Sequence, residues 1–136
     1  MAREFTLSVV APDREVVSAS AVSVVAPGVD GYFGVMAGHV PVVSALRPGI
    51  LEYLDASNQR HFVYVGGGFV QVGTDSVTVL ADEARRAVDL DVSDAEKLLE
   101  EARKALRGED STMTQPEAML ELDRATARLK AARSAK

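Results

Sequence analysis

The chain has 136 residues, 47% hydrophobic and 26% charged, a composition suited to one packed domain or a small domain with an appendage. It has no cysteine, which excludes disulfides and thiolate metal sites, and its net charge of −5 argues against a general nucleic-acid binder, because phosphate neutralisation needs a basic face. The start "MAREFTLSVVAP" has no signal-type apolar block and no run reaches the length of a membrane span, so any membrane association is expected to go through a partner, without direct insertion.

The first half reads as short strands. In "FTLSVVAP", Phe5, Leu7 and Val9 alternate with Thr6 and Ser8, the period of a half-buried strand. "AVSVVAPG" continues the pattern. "GYFGVMAGHVPVVSALRPG", residues 31–49, breaks an apolar chain with glycines and prolines and predicts a shaped, rigid loop. "LEYLDASNQRHFVYV" predicts two strands around the turn "DASNQ", and "FVQVGTDSVTVLA" a hairpin closed by "GTDS". The glycines of "GGGF" at 66–69 mark a bulge or close backbone approach, since neither the dinucleotide fingerprint nor the P-loop pattern is met. Seven to ten short strands before about residue 84 suggest a sandwich or barrel.

Between the halves, "EARRAVDLD", with Asp82 just before it, sets Arg85 and Arg86 among Asp82, Glu83, Asp89 and Asp91, as a solvated linker or a hinge would. After residue 88 the period becomes helical. In "VSDAEKLLEEARKALRG", Ser93 and Glu96 have capping-box spacing, Ala95, Leu98, Leu99, Ala102 and Leu106 share a face, and Gly108 stops the helix. In "TQPEAMLELDRATARLKAAR", Thr114 and Glu117 form a second box, and Ala118, Leu122, Ala125, Leu129 and Ala132 form a seam. Two helices joined by about six residues fold antiparallel. Three of the five seam residues are alanine, so two leucines supply about 3–6 kcal/mol against an ordering cost of similar size. That balance predicts a lightly held hairpin, either a lid packed on the β body or a mobile arm. The last 20 residues carry five basic and three acidic side chains, +2, against 10 basic and 17 acidic before them, −7; the basic end suits an acidic protein surface or an anionic ligand.

Catalytic groups are scarce. His61 occupies one face of an ordinary strand. His39 lies in the Gly/Pro-rich stretch, where the nearest nucleophile by sequence is Ser44 and no carboxylate stands ready to orient the ring, which favours a structural or interface role. No His/Asp/Glu cluster has metal-ligand spacing.

Together, Gly31, Gly34 and "GHVPVVSALRPG", then "GGGFVQVGTDSVTVLADEA", then the order β body, short charged linker and alanine-rich hairpin resemble the epsilon subunit family of the F-type ATP synthase. The resemblance implies a ten-stranded β-sandwich followed by two antiparallel helices, an α+β chain. It divides the sequence into a β-sandwich domain, 1–87, docking on gamma and the c-ring, and a regulatory hairpin, 88–136. It implies no catalysis by this chain. The position matching Tyr32 faces the loops of the c-ring, where members often carry a carboxylate, and those matching His39 and Ser44 lie toward gamma.

The resemblance further implies a hairpin that rests on the sandwich when folded and, when extended, reaches the alpha/beta catalytic head and blocks ATP hydrolysis. Arg124, Arg128, Lys130 and Arg133 would then meet an acidic loop of a beta subunit. Some relatives bind ATP on the folded hairpin through Ile/Leu-Asp-x-x-Arg-Ala; here Leu90, Asp91 and Ala95 match, but Asp94 replaces the arginine, so binding is expected to be weak or absent and no cofactor is assigned. The implied location is the cytoplasmic face of a bacterial plasma membrane, peripherally, within the complex. The alternative reading from the residues alone is a free-standing adaptor whose β-sandwich and helical arm bind an acidic protein.

Overall fold

The computed structural model describes residues 3–109 and 112–135; Asp110 and Ser111, in the loop expected between the helices, lie outside the described residues. Seven strands precede the helices: β1 Phe5–Ala11, β2 Arg14–Gly28, β3 Gly31–Met36, β4 Val42–Asp55, β5 Arg60–Val72, β6 Ser76–Ala81 and β7 Ala84–Arg86. β1 pairs in parallel with β6 and antiparallel with β2, so the path β1-β6-β5-β4-β2 closes on itself, with β3 added on β2 and β7 on β5.

Three strands serve two stretches of sheet each. β2 pairs with β1 through residues 14–21 and then with β3 and β4. In the β4–β5 ladder the register passes from Leu46↔Gly68 to Pro48↔Gly66, leaving Arg47 and Gly67 unpaired. Beyond that break β5 leaves β7 and takes β6 as its second neighbour. Seven strands, three of them divided, stand where ten were expected. The glycines permit the fold of the ladder: Gly67 and Gly68 have φ of +102° and +134°, and a Cβ on Gly68 would stand 2.2 Å from the Leu80 carbonyl oxygen.

Alternation places Phe5, Leu7, Val9 and Ala11 of β1 inside, with Val24, Leu51, Val63, Val65, Val70 and Val79 from the other strands. The "DASNQ" turn forms as predicted. The Asp55 carboxylate accepts the amides of Ser57 and Gln59, and Asn58 takes a positive φ of 61°.

Two readings of the first half need correction. Gly31–Met36 is a strand rather than a loop, because its pairing along β2 satisfies the backbone that the glycines leave bare. The charged run is not a free linker either: Ala84–Arg86 forms β7, Ala87–Asp89 is a 3₁₀ turn, and Ala84, Ala87 and Leu90 are buried.

Helix α1 spans Val92–Leu106 and α2 spans Gln115–Ser134. The expected Ser93/Glu96 box does not form. Asp91 is the N-cap and accepts the Asp94 amide at 3.1 Å, because a carboxylate two residues earlier also meets the positive end of the helix dipole. α1 buries Ala95, Leu99, Ala102 and Ala105, while Leu98 is exposed. It ends as predicted: Gly108 at φ +83° lets its own amide reach Ala105 and that of Glu109 reach Lys104. The Thr114/Glu117 box of α2 is present in full.

The hairpin is packed on the β body as a lid. Besides the predicted seam, α2 buries Ala127 and Ala131 on a second face. A second hydrophobic cluster joins these alanines to Tyr64, Ile50 and Phe62 of the sheet and to Ala87 and Leu90. The estimate from two seam leucines therefore omitted a whole interface.

Candidate interaction surface

β3 and the start of β4 display the Gly/Pro-rich stretch. Tyr32 is half exposed; its hydroxyl accepts the Ile50 amide at 3.3 Å, and the Arg47 guanidinium lies 5.8 Å from its ring centre. A Cβ at Gly49 would stand 2.9 Å from the Tyr32 hydroxyl oxygen and 2.6 Å from Pro27 Cβ, so glycine at 49 is what lets the ring lie against the sheet. His39 is exposed in the 37–41 loop, and its Nδ1 lies 2.7 Å from its neighbour's carbonyl, that of Val40. Ser44 is half buried and pairs with the buried Val70, so it does not share the outward face of Val43.

An exposed apolar surface lies beside these residues. Val43 (66% exposed), Phe69 (55%) and Leu80 (52%) project outward from β4, β5 and β6. Phe69 stands opposite Ala45 on one side and Leu80 on the other, and Leu80 stands beside Val10 of β1. The result is a continuous apolar stripe across four strands. The helices cover a different part of the sheet, around Ile50, Phe62 and Tyr64. No motif or period in the sequence marks this stripe directly. Its signal is in "FVQV" and "VTVLA", where the outward positions also hold large apolar residues, a pattern that a solvated sheet face lacks.

The four basic residues of α2 divide into two pairs. Arg128 donates to the Glu83 carboxylate and lies 5.0 Å from the Tyr64 ring centre, and the Tyr64 hydroxyl donates to the same carboxylate at 2.6 Å. Arg124 donates to the Gly66 carbonyl at 3.0 Å and approaches Asp82 at 3.9 Å. Lys130 and Arg133 remain exposed beside Leu99, Arg103 and Thr126. Burial by itself would raise the Glu83 pKa; the bonds from Tyr64 and Arg128, with the charges of Arg128 and Arg124, outweigh it and hold the carboxyl below the usual glutamate value. Burial and then the bond to Glu83 push the Tyr64 hydroxyl well above its usual value, which keeps it a donor.

The degenerate nucleotide motif is absorbed by the fold. Leu90 and Ala95 are buried and Asp91 caps α1. The adjoining groove, about 740 Å³, is lined by Asp13, Asp82, Glu83, Asp89, Asp91 and Asp94 against Arg14, Arg85 and Arg128. Such a balance disfavours a polyphosphate. Among the described residues no His, Asp or Glu group is arranged to hold a metal ion, and no helix is long and apolar enough to cross a membrane.

Comparison with known proteins agrees with this architecture part by part. The β-sandwich domain of the ATP synthase delta/epsilon chain matches residues 4–87, and the long alpha-helix domain of the same chain matches residues 89–133. The ATP synthase epsilon chain of Myxococcus xanthus is 38% identical over 130 residues, 96% of this chain and 92% of that one. That of Moorella thermoacetica is 39% identical over 126 residues, 93% and 94% of the two chains. Among solved structures, a chain of the Euglena gracilis mitochondrial ATP synthase (OSCP/F1/c-ring) superposes with a TM-score of 0.80 at 26% identity, covering 96% of this chain and 81% of that one. One from the Tetrahymena thermophila mitochondrial ATP synthase central stalk and c-ring shares the fold, with a TM-score of 0.57 at 14% identity over 99% of this chain and 98% of that one.

A closed β body with a two-helix lid is thus the architecture of a rotary-ATPase stalk subunit. The chain belongs to the ATP synthase delta/epsilon family.

Proposed function

We propose that the chain is a non-catalytic rotor subunit of an F-type ATP synthase, which fastens gamma to the c-ring and restrains ATP hydrolysis through its hairpin. The observation that carries this reading is the uncovered apolar stripe Val43–Ala45–Phe69–Leu80–Val10 on a closed and therefore stiff sheet. Torque passes between rotor subunits only across a packed interface, and a stripe of this kind calls for a protein partner. Gamma is assigned to it. Tyr32 and Arg47, at the neighbouring edge, suit the polar loops of the c-ring. His39, with no hydrogen-bonded partner for its ring beyond a neighbouring carbonyl among the described residues, contributes shape rather than chemistry.

The division of labour follows the change of period: 1–87 grips the rotor and 88–136 regulates. In the extended state Arg124, Arg128, Lys130 and Arg133 would face an acidic loop of a beta subunit. Lys130 and Arg133 are available for that in the folded state as well, whereas Arg124 and Arg128 must first leave the sheet. ATP binding to the folded hairpin is weak or absent in this reading, since Asp94 lines the groove where an arginine would be needed. The place of action is the cytoplasmic face of a bacterial plasma membrane, reached through the complex.

The test is reconstitution. The full chain should co-purify with alpha, beta and gamma, and deleting residues 109–136 should leave assembly intact and raise ATP hydrolysis. Recovery without the other subunits would return the adaptor reading, and unchanged hydrolysis in the truncated complex would remove the regulatory role.

A further inference from the structure

Among the described residues, Arg124 and Arg128 tie the hairpin to the sheet by polar bonds. Both are largely shielded, with side chains 19% and 13% exposed. Every group they meet in the β body lies at the Gly66–Gly68 break or directly across from it: the Gly66 carbonyl, Tyr64 two residues before it, and Asp82 and Glu83 in the β6–β7 turn. The turn itself is fixed to the break, since the Gly66 amide donates to the Glu83 carbonyl at 2.7 Å and the Asp82 amide to the Gly67 carbonyl at 2.9 Å. The receptor for the two arginines is therefore held together by bonds within the β body itself. Glycine is required in it, because a Cβ at 66 would stand 2.7 Å from the Tyr64 hydroxyl oxygen and 3.3 Å from Arg124 Nε.

We infer that Glu83, with Tyr64 and the Gly66 carbonyl, is a latch that holds the hairpin folded by occupying Arg124 and Arg128, and so sets how readily the arm extends. The inference rests on the regulatory reading above for its consequence in the complex, but the latch itself is a property of the chain alone. Neither arginine can serve the latch and an acidic surface of another subunit at once. Losing Glu83 leaves Arg128 shielded and without its carboxylate, which favours the state in which the arginine reaches water or another acid. The groove between the β body and α1 holds its own anion in Glu83, so the latch closes without a nucleotide.

Glu83 is in the body and not in the hairpin, which makes the test clean. Glu83→Gln keeps every basic residue of α2 while removing the charge. In the isolated full chain, hydrogen exchange of α2 amides should become about 10- to 100-fold faster, the factor for a lost charge-assisted bond, with strands β1, β4 and β5 unchanged. Tyr64→Phe, which keeps the ring and removes the hydroxyl, should give a smaller increase in the same amides. Asp75→Asn, an equal charge change at an exposed site paired with Arg3, should give none. In the complex with alpha, beta and gamma, Glu83→Gln should lower ATP hydrolysis, the opposite of truncation. Unaltered α2 exchange in both Glu83→Gln and Tyr64→Phe would overturn the latch. Faster exchange with unaltered hydrolysis would support the latch and instead refute restraint by the hairpin.

Discussion

Glu83 shows how one residue changes meaning between sequence and structure. In the run "DEARRAVDLD" it is one of several intermixed charges, and nothing local separates it from Asp89 or Asp91. In three dimensions it accepts from both Tyr64 and Arg128, partners 19 and 45 residues away. Contacts of that sequence separation leave no periodic trace. Asp55 is the opposite case, since its partners Ser57, Gln59 and His61 all lie within six residues and the turn was readable. The depressed Glu83 pKa has a direction in pH. A carboxyl whose folded-state pKa is lowered contributes its full stabilisation above the ordinary glutamate value, and loses it as pH falls through the folded value. After correction for intrinsic rates, α2 protection relative to the strands should be flat from pH 7 to about 5 and fall below about pH 4.3. Loosening of α2 as pH rises from 5 to 7 would contradict this assignment of the charge.

Elements were legible where their signal was periodic or local. The alternation of β1, the turns at Asp55 and Gly73, the capping box at Thr114 and the stop at Gly108 each rest on short-range rules, and each is present. The cap of α1 was misplaced because Ser93/Glu96 and Asp91/Asp94 offer the same spacing two residues apart, and only the path of the chain out of β7 chooses between them. The larger miss was the second face of α2. Ala127 and Ala131 fall between seam positions and carry too little side chain to mark a face. Their smallness is the device that brings the helix close to Tyr64 and Phe62. Ala131 is fully buried there, so Ala131→Leu should overpack the interface by about 1–3 kcal/mol. Hydrogen exchange should then show a less protected α2 above an undisturbed β body; equal loosening of both would mean that lid and body unfold as one unit.

At the scale of the molecule, closure of the sheet through β1 and the docked hairpin give two surfaces with different mechanical properties. The ring β1-β6-β5-β4-β2 lacks a free edge at β1, and its outer stripe is held at fixed spacing by strand pairing. The hairpin is held by small side chains and a few polar bonds, and the strand pairings that close the ring do not pass through it. The proposed rotor subunit with a regulatory hairpin needs that contrast. The family was legible from its glycine and proline pattern, whereas the apolar stripe emerged only from strand register, because Ala45, Phe69 and Leu80 are 24 and 11 residues apart in sequence and cross-strand neighbours on the sheet.

In the proposed assembly this stripe, and not the neighbourhood of His39, fastens the chain to gamma. This is tested most directly by titrating purified gamma with the full chain and with Phe69→Asp and Leu80→Asp, using His39→Ala as the comparison. Both aspartate variants should bind at least about 100-fold more weakly, as expected for charge placed at the centre of an apolar interface, with His39→Ala within a few-fold of the unaltered chain. Undiminished affinity in Phe69→Asp and Leu80→Asp would contradict the account.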